Sequence, residues 1–364
     1  MSEFALPPAG SGTQSSSGSP SQVILVQRSS GMGLLMLALG WFGFLTSGAL
    51  LALLVGGMIY VARYVDPDGL EEKNVANWEE GEYKIAVITI DGVIGDADED
   101  GYVLKQIQRV RKDESVRAIV VRVDSPGGVV SGADYILHHL RKLKKEKGVP
   151  MVVSMGGMAA SGGYYVSMAV EDQDNSIFAE PTCVTGSIGV IMPHYDISGL
   201  LARFDVKDDS IVTHERKQML AMTKPIPPEH REIIQKNINE MFARFKKIVQ
   251  EGRPKFAKDP AALDVLATGE VFTADQAVAN GLIDKVGFLE DALERAVELA
   301  KLNKSEVQAI RFKRPISMFD DLSLIQSRAK APGSIDLSLI QDLATPRAYY
   351  LYTTLPTTMS SRAR

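Results

Sequence analysis

The sequence predicts an α/β fold with a mostly parallel sheet, preceded by one membrane-spanning helix. Apolar segments rich in β-branched residues alternate with segments of helical periodicity, and glycine pairs follow two of the apolar segments. Strands that alternate with helices form βαβ units, whose strands run parallel. An uncharged run over residues 31–62 predicts the membrane helix.

The N-terminal region divides into a tail, an anchor and a linker. Residues 1–30 are rich in glycine, serine and proline, so we expect a disordered tail. Residues 31–62 carry no charge and exceed the roughly 20 apolar residues that a membrane helix needs. A cleaved signal peptide with its site at residues 47–49 is the alternative, but the apolar run continues for 13 residues beyond that site. Residues 63–82, which include seven acidic side chains, are expected to form a solvated linker.

A globular domain is predicted over residues 83–313. The predicted strands are 84–95, 117–126 and 151–155, and the predicted helices are 102–112, 130–147, 160–170, 228–251, 274–280 and 289–301. The second strand is apolar enough to be buried on both faces, as the central strands of parallel sheets are. We expect residues 314–364 to form an irregular tail.

Composition limits the class of function. The chain has 364 residues and a net charge of −5, which gives no global electrostatic basis for binding nucleic acid. Cys183 is the single cysteine, so an internal disulfide is excluded. The sequence contains no zinc motif and no phosphate-binding loop. We therefore expect neither a metal nor a cofactor.

Two glycine-rich segments follow apolar strands and could take part in chemistry. Residues 124–128 read DSPGG, and residues 156–165 read GGMAASGGYY. Paired glycines leave N–H groups free to point at an anion, and a serine at a helix N-terminus, here Ser161, can attack a carbonyl. We expect Gly156 and Gly157 to turn the third strand. The alternative interpretation is that all these glycines serve only the geometry of tight turns.

Four motifs together resemble the signal peptide peptidase A family. Residues 156–165 resemble its nucleophile motif, and residues 124–128 resemble its oxyanion turn. Residues 185–190 (TGSIGV) and 268–277 (TGEVFTADQA) resemble two further hallmarks, in the family's order. The resemblance covers residues 84–313. It implies a Clp protease/crotonase-like fold of repeated β-β-α units and a serine peptidase that uses a lysine base.

The resemblance also implies the roles of individual residues. Ser161 is expected to be the nucleophile. The N–H groups of Gly127 or Gly128, together with Gly162, are expected to form the oxyanion hole. Small and apolar residues flank both segments, so we expect an apolar pocket for the residue before the cut bond.

The general base is expected to be Lys217, which lies 30 residues after Ser187. His214 and Gln218 stand where the family pattern has glycine and aspartate, and Lys224 is the second candidate. Ser187 is expected to hydrogen-bond the lysine amine. A lysine acts as a base only when burial lowers its pKa.

These expectations combine into one function with two alternatives. The function is a membrane-anchored serine endopeptidase with a Ser-Lys dyad that degrades signal peptides or other short apolar peptides. We expect a single-pass protein of the cell membrane, assembled as a homo-oligomer, with its catalytic domain on the extracytoplasmic side. The alternatives are an acyl-CoA enzyme of crotonase type, which needs neither Ser161 nor the membrane helix, and a catalytically inactive membrane scaffold.

Overall fold

The computed structural model describes most of the chain, in two units. The described residues are 31–64, 70–76, 78, 81–96, 101–313 and 347–352. The units are Met1–Arg63 and Tyr64–Arg364. The predicted tail over residues 1–30 lies outside the described residues, as does most of the predicted tail over residues 314–364.

The described part of the first unit is one long helix. Helix α1 is Gly31–Tyr64. Its segment Leu35–Met58, 24 residues long, is apolar enough to cross a membrane, and no part of it is buried. At about 1.5 Å per residue it extends about 36 Å, which exceeds the hydrocarbon thickness of a bilayer, about 30 Å. The apolar helix predicted from the sequence is therefore present.

The second unit has eleven strands among the described residues, and nine of them form one mostly parallel sheet. The strands are β1 (Glu71–Asn74), β2 (Tyr83–Asp91), β3 (Val116–Ser125), β4 (Gly127–Val129), β5 (Met151–Ala160), β6 (Ile177–Ala179), β7 (Val184–Gly186), β8 (Val271–Thr273), β9 (Lys285–Val286), β10 (Val307–Lys313) and β11 (Tyr349–Leu351). The sheet order is β1-β10-β2-β3-β5-β6-β9, β7 and β8 extend it beyond β5, and β4 and β11 form a separate pair.

Helices cover both faces of this sheet. They are α2 (Tyr102–Lys112), α3 (Val130–Lys147), α4 (Gly162–Ser167), α5 (Ser198–Arg203), α6 (Pro228–Gly252), α7 (Pro254–Lys258), α8 (Pro260–Leu266), α9 (Ala274–Asn280) and α10 (Leu289–Ala300). Alternate residues of β2 belong to two cores: Ile88 faces the core with α3 and α4, and Val87 faces the core with α10. Because both faces are buried, the central strands are apolar along most of their length. The predicted α/β class is confirmed.

Strand β5 is longer than predicted, and the predicted turn at Gly156 and Gly157 is wrong. The strand continues to Ala160. A Cβ atom on Gly156 would lie 2.8 Å from a carboxylate oxygen of Asp124, and the N–H of Met158 donates to the other oxygen at 3.1 Å. The glycine therefore makes room for a side chain of the neighbouring strand, and it does not turn the chain.

The predicted linker over residues 63–82 contains a strand. Strand β1 pairs antiparallel with β10. Glu72 accepts from the amine of Lys84 at 2.7 Å and from the guanidinium of Arg109 at 3.3 Å. The acidic residues of this segment predict a solvated chain, but Glu72 forms ion pairs with the domain.

The predicted C-terminal tail also contains a strand. Residues 347–352 are described, and β11 pairs antiparallel with β4. Tyr350 is fully buried. A three-residue strand is too short to show a periodic pattern, and its partner lies about 220 residues away in the sequence. No local pattern therefore predicts this strand.

Candidate active site

Ser161 lies at the carboxyl end of β5, where helix α4 begins. Strand β7 runs parallel to the end of β5, and the N–H of Ser161 donates to the carbonyl of Gly186 at 2.8 Å. The hydroxyl of Thr185 donates to the carbonyl of Ala159 at 2.6 Å. These bonds fix the serine at the edge of the sheet where ligands bind in α/β folds.

The backbone of Ser161 is strained. Its φ is 54° and its ψ is −112°, a conformation that costs a residue with a Cβ atom about 1–3 kcal/mol. A strained turn from strand to helix is also what exposes the nucleophilic serine of α/β-hydrolases. The backbone geometry therefore matches that of a nucleophilic serine, while the side chain of Ser161 is buried in the single chain.

The oxyanion turn packs directly against Ser161. A Cβ atom on Gly163 would lie 2.7 Å from the carbonyl oxygen of Ser125, and one on Gly162 would lie 3.1 Å from the nitrogen of Gly128. A Cβ atom at position 163 would collide with the backbone, and one at position 162 would require its neighbours to shift by a few tenths of an ångström. The two glycine-rich segments predicted from the sequence are thus one site.

Gly127 and Gly128 differ in what their N–H groups do. The N–H of Gly127 donates to the hydroxyl of Ser125 at 3.1 Å, and its carbonyl accepts from Ile94 at 2.8 Å. The N–H of Gly128 faces β11, where Gly128 pairs with Tyr350. Gly162 is the first residue of α4, so its N–H has no partner within the helix. The N–H groups that neither the oxyanion turn nor helix α4 uses internally are therefore those of Gly128 and Gly162.

Ser187 is held beside this site by the motif at residues 268–277. Its N–H donates to the carbonyl of Glu270 at 2.7 Å, and β7 pairs antiparallel with β8. Ser187 has a φ of 52° and is buried. The motifs at residues 185–190 and 268–277 thus meet, and the second one supports the first.

Neither candidate lysine is hydrogen-bonded to Ser161 in the structure. Lys217 is exposed in a short 3-10 turn, and its side chain makes no hydrogen bond or ion pair with any residue that the structure describes. The amine of Lys224 donates to Gln218 at 2.7 Å and lies 3.6 Å from Asp208. Within one copy of the chain, no hydrogen bond joins either lysine to the serine.

The segment that contains Lys217 exposes large apolar side chains. Those exposed by more than half are Leu200, Phe204, Val206 and Ile211. A contiguous apolar patch on a soluble surface marks an interaction site. The candidate base therefore lies on a surface suited to contact another protein.

Comparison with known proteins decides the family. The profile of Peptidase family S49 matches residues 143–303. The chain is 32% identical over 246 residues to the putative signal peptide peptidase SppA of Enterococcus faecium, covering 65% of this chain and 69% of that protein. It is 31% identical over 258 residues to the putative protease slr0021 of Synechocystis, covering 67% and 89%.

This chain belongs to peptidase family S49. The resemblance to signal peptide peptidase A is thereby confirmed. The chain is also 39% identical over 226 residues to Protease 4 of Salmonella typhi, covering 60% of this chain and 35% of that protein. It thus spans about a third of the length of that relative.

One residue of this S49 site was missed in the sequence. Ser125 is fully buried, donates to the carbonyl of Gly92 at 2.6 Å and accepts from the N–H of Gly127. It therefore sets the conformation of the oxyanion turn. Its position inside the DSPGG motif is the signal in the sequence that points to this role.

Replacing Gly127 with alanine is expected to inactivate this S49 peptidase. The φ of Gly127 is 94°, and a Cβ atom there would lie 2.5 Å from the nitrogen of Gly162. The oxyanion turn would have to move, and loss of one oxyanion donor lowers kcat by about 10²–10³-fold. Peptide hydrolysis by the purified variant measures the effect.

Gly148→Ala is the matched control. Gly148 also has a positive φ, 63°, but a Cβ atom there meets nothing within 4 Å. We expect it to lose about 1 kcal/mol of stability and to keep its activity. Near-normal turnover by Gly127→Ala would contradict the importance of this close approach.

Proposed function

We propose that this chain is a membrane-anchored serine endopeptidase in which Ser161 is the nucleophile and Lys217 the general base. The observation that carries the proposal is the strained serine at the end of β5, beside the N–H groups of Gly128 and Gly162. Membership of a peptidase family favours this over an acyl-CoA enzyme.

The reaction follows from these positions. The Ser161 oxygen attacks the carbonyl carbon of the peptide bond, and its proton passes to the neutral amine of Lys217. The N–H groups of Gly128 and Gly162 stabilise the oxyanion. The C–N bond then breaks, and the leaving amine takes the proton from the lysine. Water, deprotonated by the same lysine, hydrolyses the acyl-enzyme.

We infer that Lys217 reaches Ser161 from a neighbouring copy in a homo-oligomer. Lys217 is exposed in the single chain, and its segment presents apolar side chains such as Phe204. Burial of this segment between copies would desolvate the amine, which favours the neutral form that a base requires. Ser187 would then accept or donate a hydrogen bond at that amine.

Short apolar peptides, including signal peptides, are the proposed substrates. The Enterococcus relative is described as a putative signal peptide peptidase. The two glycine-rich segments have apolar neighbours, such as the buried Val129. An apolar groove would accept such peptides.

Helix α1 is proposed to anchor the chain, with the catalytic domain on the extracytoplasmic side. We expect the full-length protein to remain in the membrane pellet after alkaline carbonate extraction, because Leu35–Met58 is uncharged and unburied. A chain that starts at Tyr64 keeps β1 and should be released into the soluble fraction. Full-length protein in the soluble fraction, or a mature N-terminus at Leu50, would instead indicate a cleaved signal peptide.

The function is tested by labelling with a fluorophosphonate probe, which reacts with activated serines. The purified full-length protein should be labelled, and its Ser161→Ala variant should not. A wild-type protein that neither reacts nor cleaves peptides would be an inactive scaffold on the same fold. The lack of a hydrogen bond between Lys217 and Ser161 in the single chain is the observation that keeps this second candidate in view.

A further inference from the structure

Tyr164 ties the helix that follows the nucleophile to a distant segment of the chain. It is the third residue of α4 and is fully buried. Its hydroxyl donates to the backbone carbonyl of Leu282 at 2.8 Å, across 118 residues of sequence. Burial raises the pKa of the Tyr164 phenol, so the hydroxyl keeps the proton that it donates. The hydrogen bond is therefore a direct link between α4 and the segment that follows α9.

Helix α4 depends on such links for its orientation. It is six residues long, and a helix of that length is marginal without tertiary contacts. The N–H of Tyr165 donates to the carbonyl of Ser161 at 2.8 Å, so a rotation of α4 also turns the backbone of Ser161. The hydroxyl of Tyr165 donates to Asp134 at 2.6 Å, but that carboxylate is partly exposed and is shared with Arg244. The buried bond of Tyr164 is the link that solvent does not reach.

The strained backbone of Ser161 gives this link its importance. A residue with a Cβ atom keeps an unfavourable backbone conformation only where its surroundings enforce it. On the sheet side, the N–H of Ser161 donates to the carbonyl of Gly186 at 2.8 Å. On the helix side, α4 is held by the bond from Tyr164 to Leu282. Without the second constraint, Ser161 would be free to relax toward an unstrained conformation that directs its hydroxyl elsewhere.

The carbonyl that accepts this bond is itself held in place. The guanidinium of Arg253 donates to the carbonyl of Gly281 at 3.0 Å and to the carboxylate of Asp284 at 2.7 Å. The same carboxylate accepts from two backbone N–H groups where β6 begins, at 2.8 and 2.9 Å. Leu282 lies between these two fixed residues and is fully buried. Segment 281–284 is therefore a firm support for Tyr164.

We propose that Tyr164 is a positioning residue, whose hydrogen bond to the Leu282 carbonyl holds Ser161 in its reactive conformation. Segment 281–284 acts on the nucleophile through this bond. The inference rests on the proposed function, because it takes Ser161 as the nucleophile. Tyr164 is fully buried and cannot touch a bound peptide. Its loss should therefore slow the chemical step and leave binding unchanged.

The alternative is that this hydrogen bond only stabilises the core. The chain offers a matched control for that alternative. The hydroxyl of Tyr102 also donates to a backbone carbonyl, that of Phe312 at 2.6 Å. This pair joins the start of α2 to β10, and neither element contributes a residue to the candidate site. A purely stabilising role predicts that phenylalanine at either position has the same effect on the reaction of Ser161.

The test is the reaction of full-length protein in detergent with the fluorophosphonate probe. Labelling is followed over a range of probe concentrations, which separates the maximal labelling rate from the binding constant of the probe. Tyr164→Phe should lower the maximal rate about tenfold and keep the binding constant within about twofold, because the serine is misplaced and the groove is not. Tyr102→Phe should be labelled at the wild-type rate. Both variants should melt about 2–4 °C lower, since each loses one hydrogen bond.

A second variant tests the route from segment 281–284. Arg253→Lys replaces the guanidinium that bonds both Gly281 and Asp284, and it should slow labelling about threefold on its own. In the Tyr164→Phe background it should slow labelling no further, because the link is already broken.

Three outcomes would overturn the inference and leave the peptidase assignment intact. They are wild-type labelling of Tyr164→Phe, equal slowing by Tyr102→Phe, and an undiminished effect of Arg253→Lys in the double variant. A wild-type protein that is not labelled would instead remove the proposed function, and this inference with it.

Discussion

The Ser161→Ala variant is expected to lose peptide hydrolysis and fluorophosphonate labelling together, with kcat reduced by about 10⁵–10⁶-fold. Loss of the nucleophile removes the covalent step, so only binding and the oxyanion donors remain. The fold should persist, because the backbone bonds to Gly186 and Tyr165 do not involve the hydroxyl. Circular dichroism and the melting temperature check this.

Ser167→Ala is the matched control for that experiment. Ser167 lies on the same helix, is fully buried and donates its hydroxyl to the carbonyl of Gly163 at 2.8 Å. Its replacement should cost about 1 kcal/mol in the free energy of unfolding and leave kcat near normal. Undiminished hydrolysis by Ser161→Ala would remove the peptidase activity from this site.

The Lys217→Ala variant is expected to lose at least about 10³-fold in kcat, because the serine then has no base. Lys224→Ala is its control, since Lys224 is an exposed lysine of the same segment with partners of its own. That variant should stay within about twofold of the wild type. The reverse outcome would assign the base to Lys224.

Mixing the two inactive variants tests whether copies share a site. If Ser161 of one copy uses Lys217 of the next, Ser161→Ala and Lys217→Ala proteins form some complete sites when they co-assemble. Random assembly from equal amounts should restore about a quarter of the wild-type activity. A fully active monomer would place both residues in one copy. The same conclusion would follow if the activity of the mixture never exceeded the summed activities of the two variants measured separately.

Local sequence patterns predict most of the helices and strands correctly. The predicted helices over residues 102–112 and 130–147 match α2 and α3, because periodicity and the left-handed Gly148 cap are local signals. The extension of β5 could not be predicted in this way. It depends on the contact of Asp124 with residues 34 positions away, which no local pattern reports.

The candidate site shows the same difference between features with a local signal in the sequence and features that depend on long-range contacts. The motifs point to Ser161 and the glycines beside it, because glycine and serine at the end of an apolar strand form a pattern that is visible in the local sequence. They could not separate Gly127 from Gly128, since that difference depends on where Ser125 and β11 lie. Among the residues that the structure describes, Lys217 has no hydrogen-bonding partner, so the role proposed for it rests on the family resemblance.

Strand β1 closes the edge of the sheet. Its sequence, Glu71–Asn74, is short and mostly charged, which is how natural sheets discourage pairing between molecules. The neighbouring strand in the sheet, β10, pairs with β1 on one side and with β2 on the other. Any cleavage that frees the domain after residue 74 would uncover the long apolar-faced β10, and the released domains would then aggregate through that edge. The few residues that follow helix α1 thus also protect the solubility of the second unit.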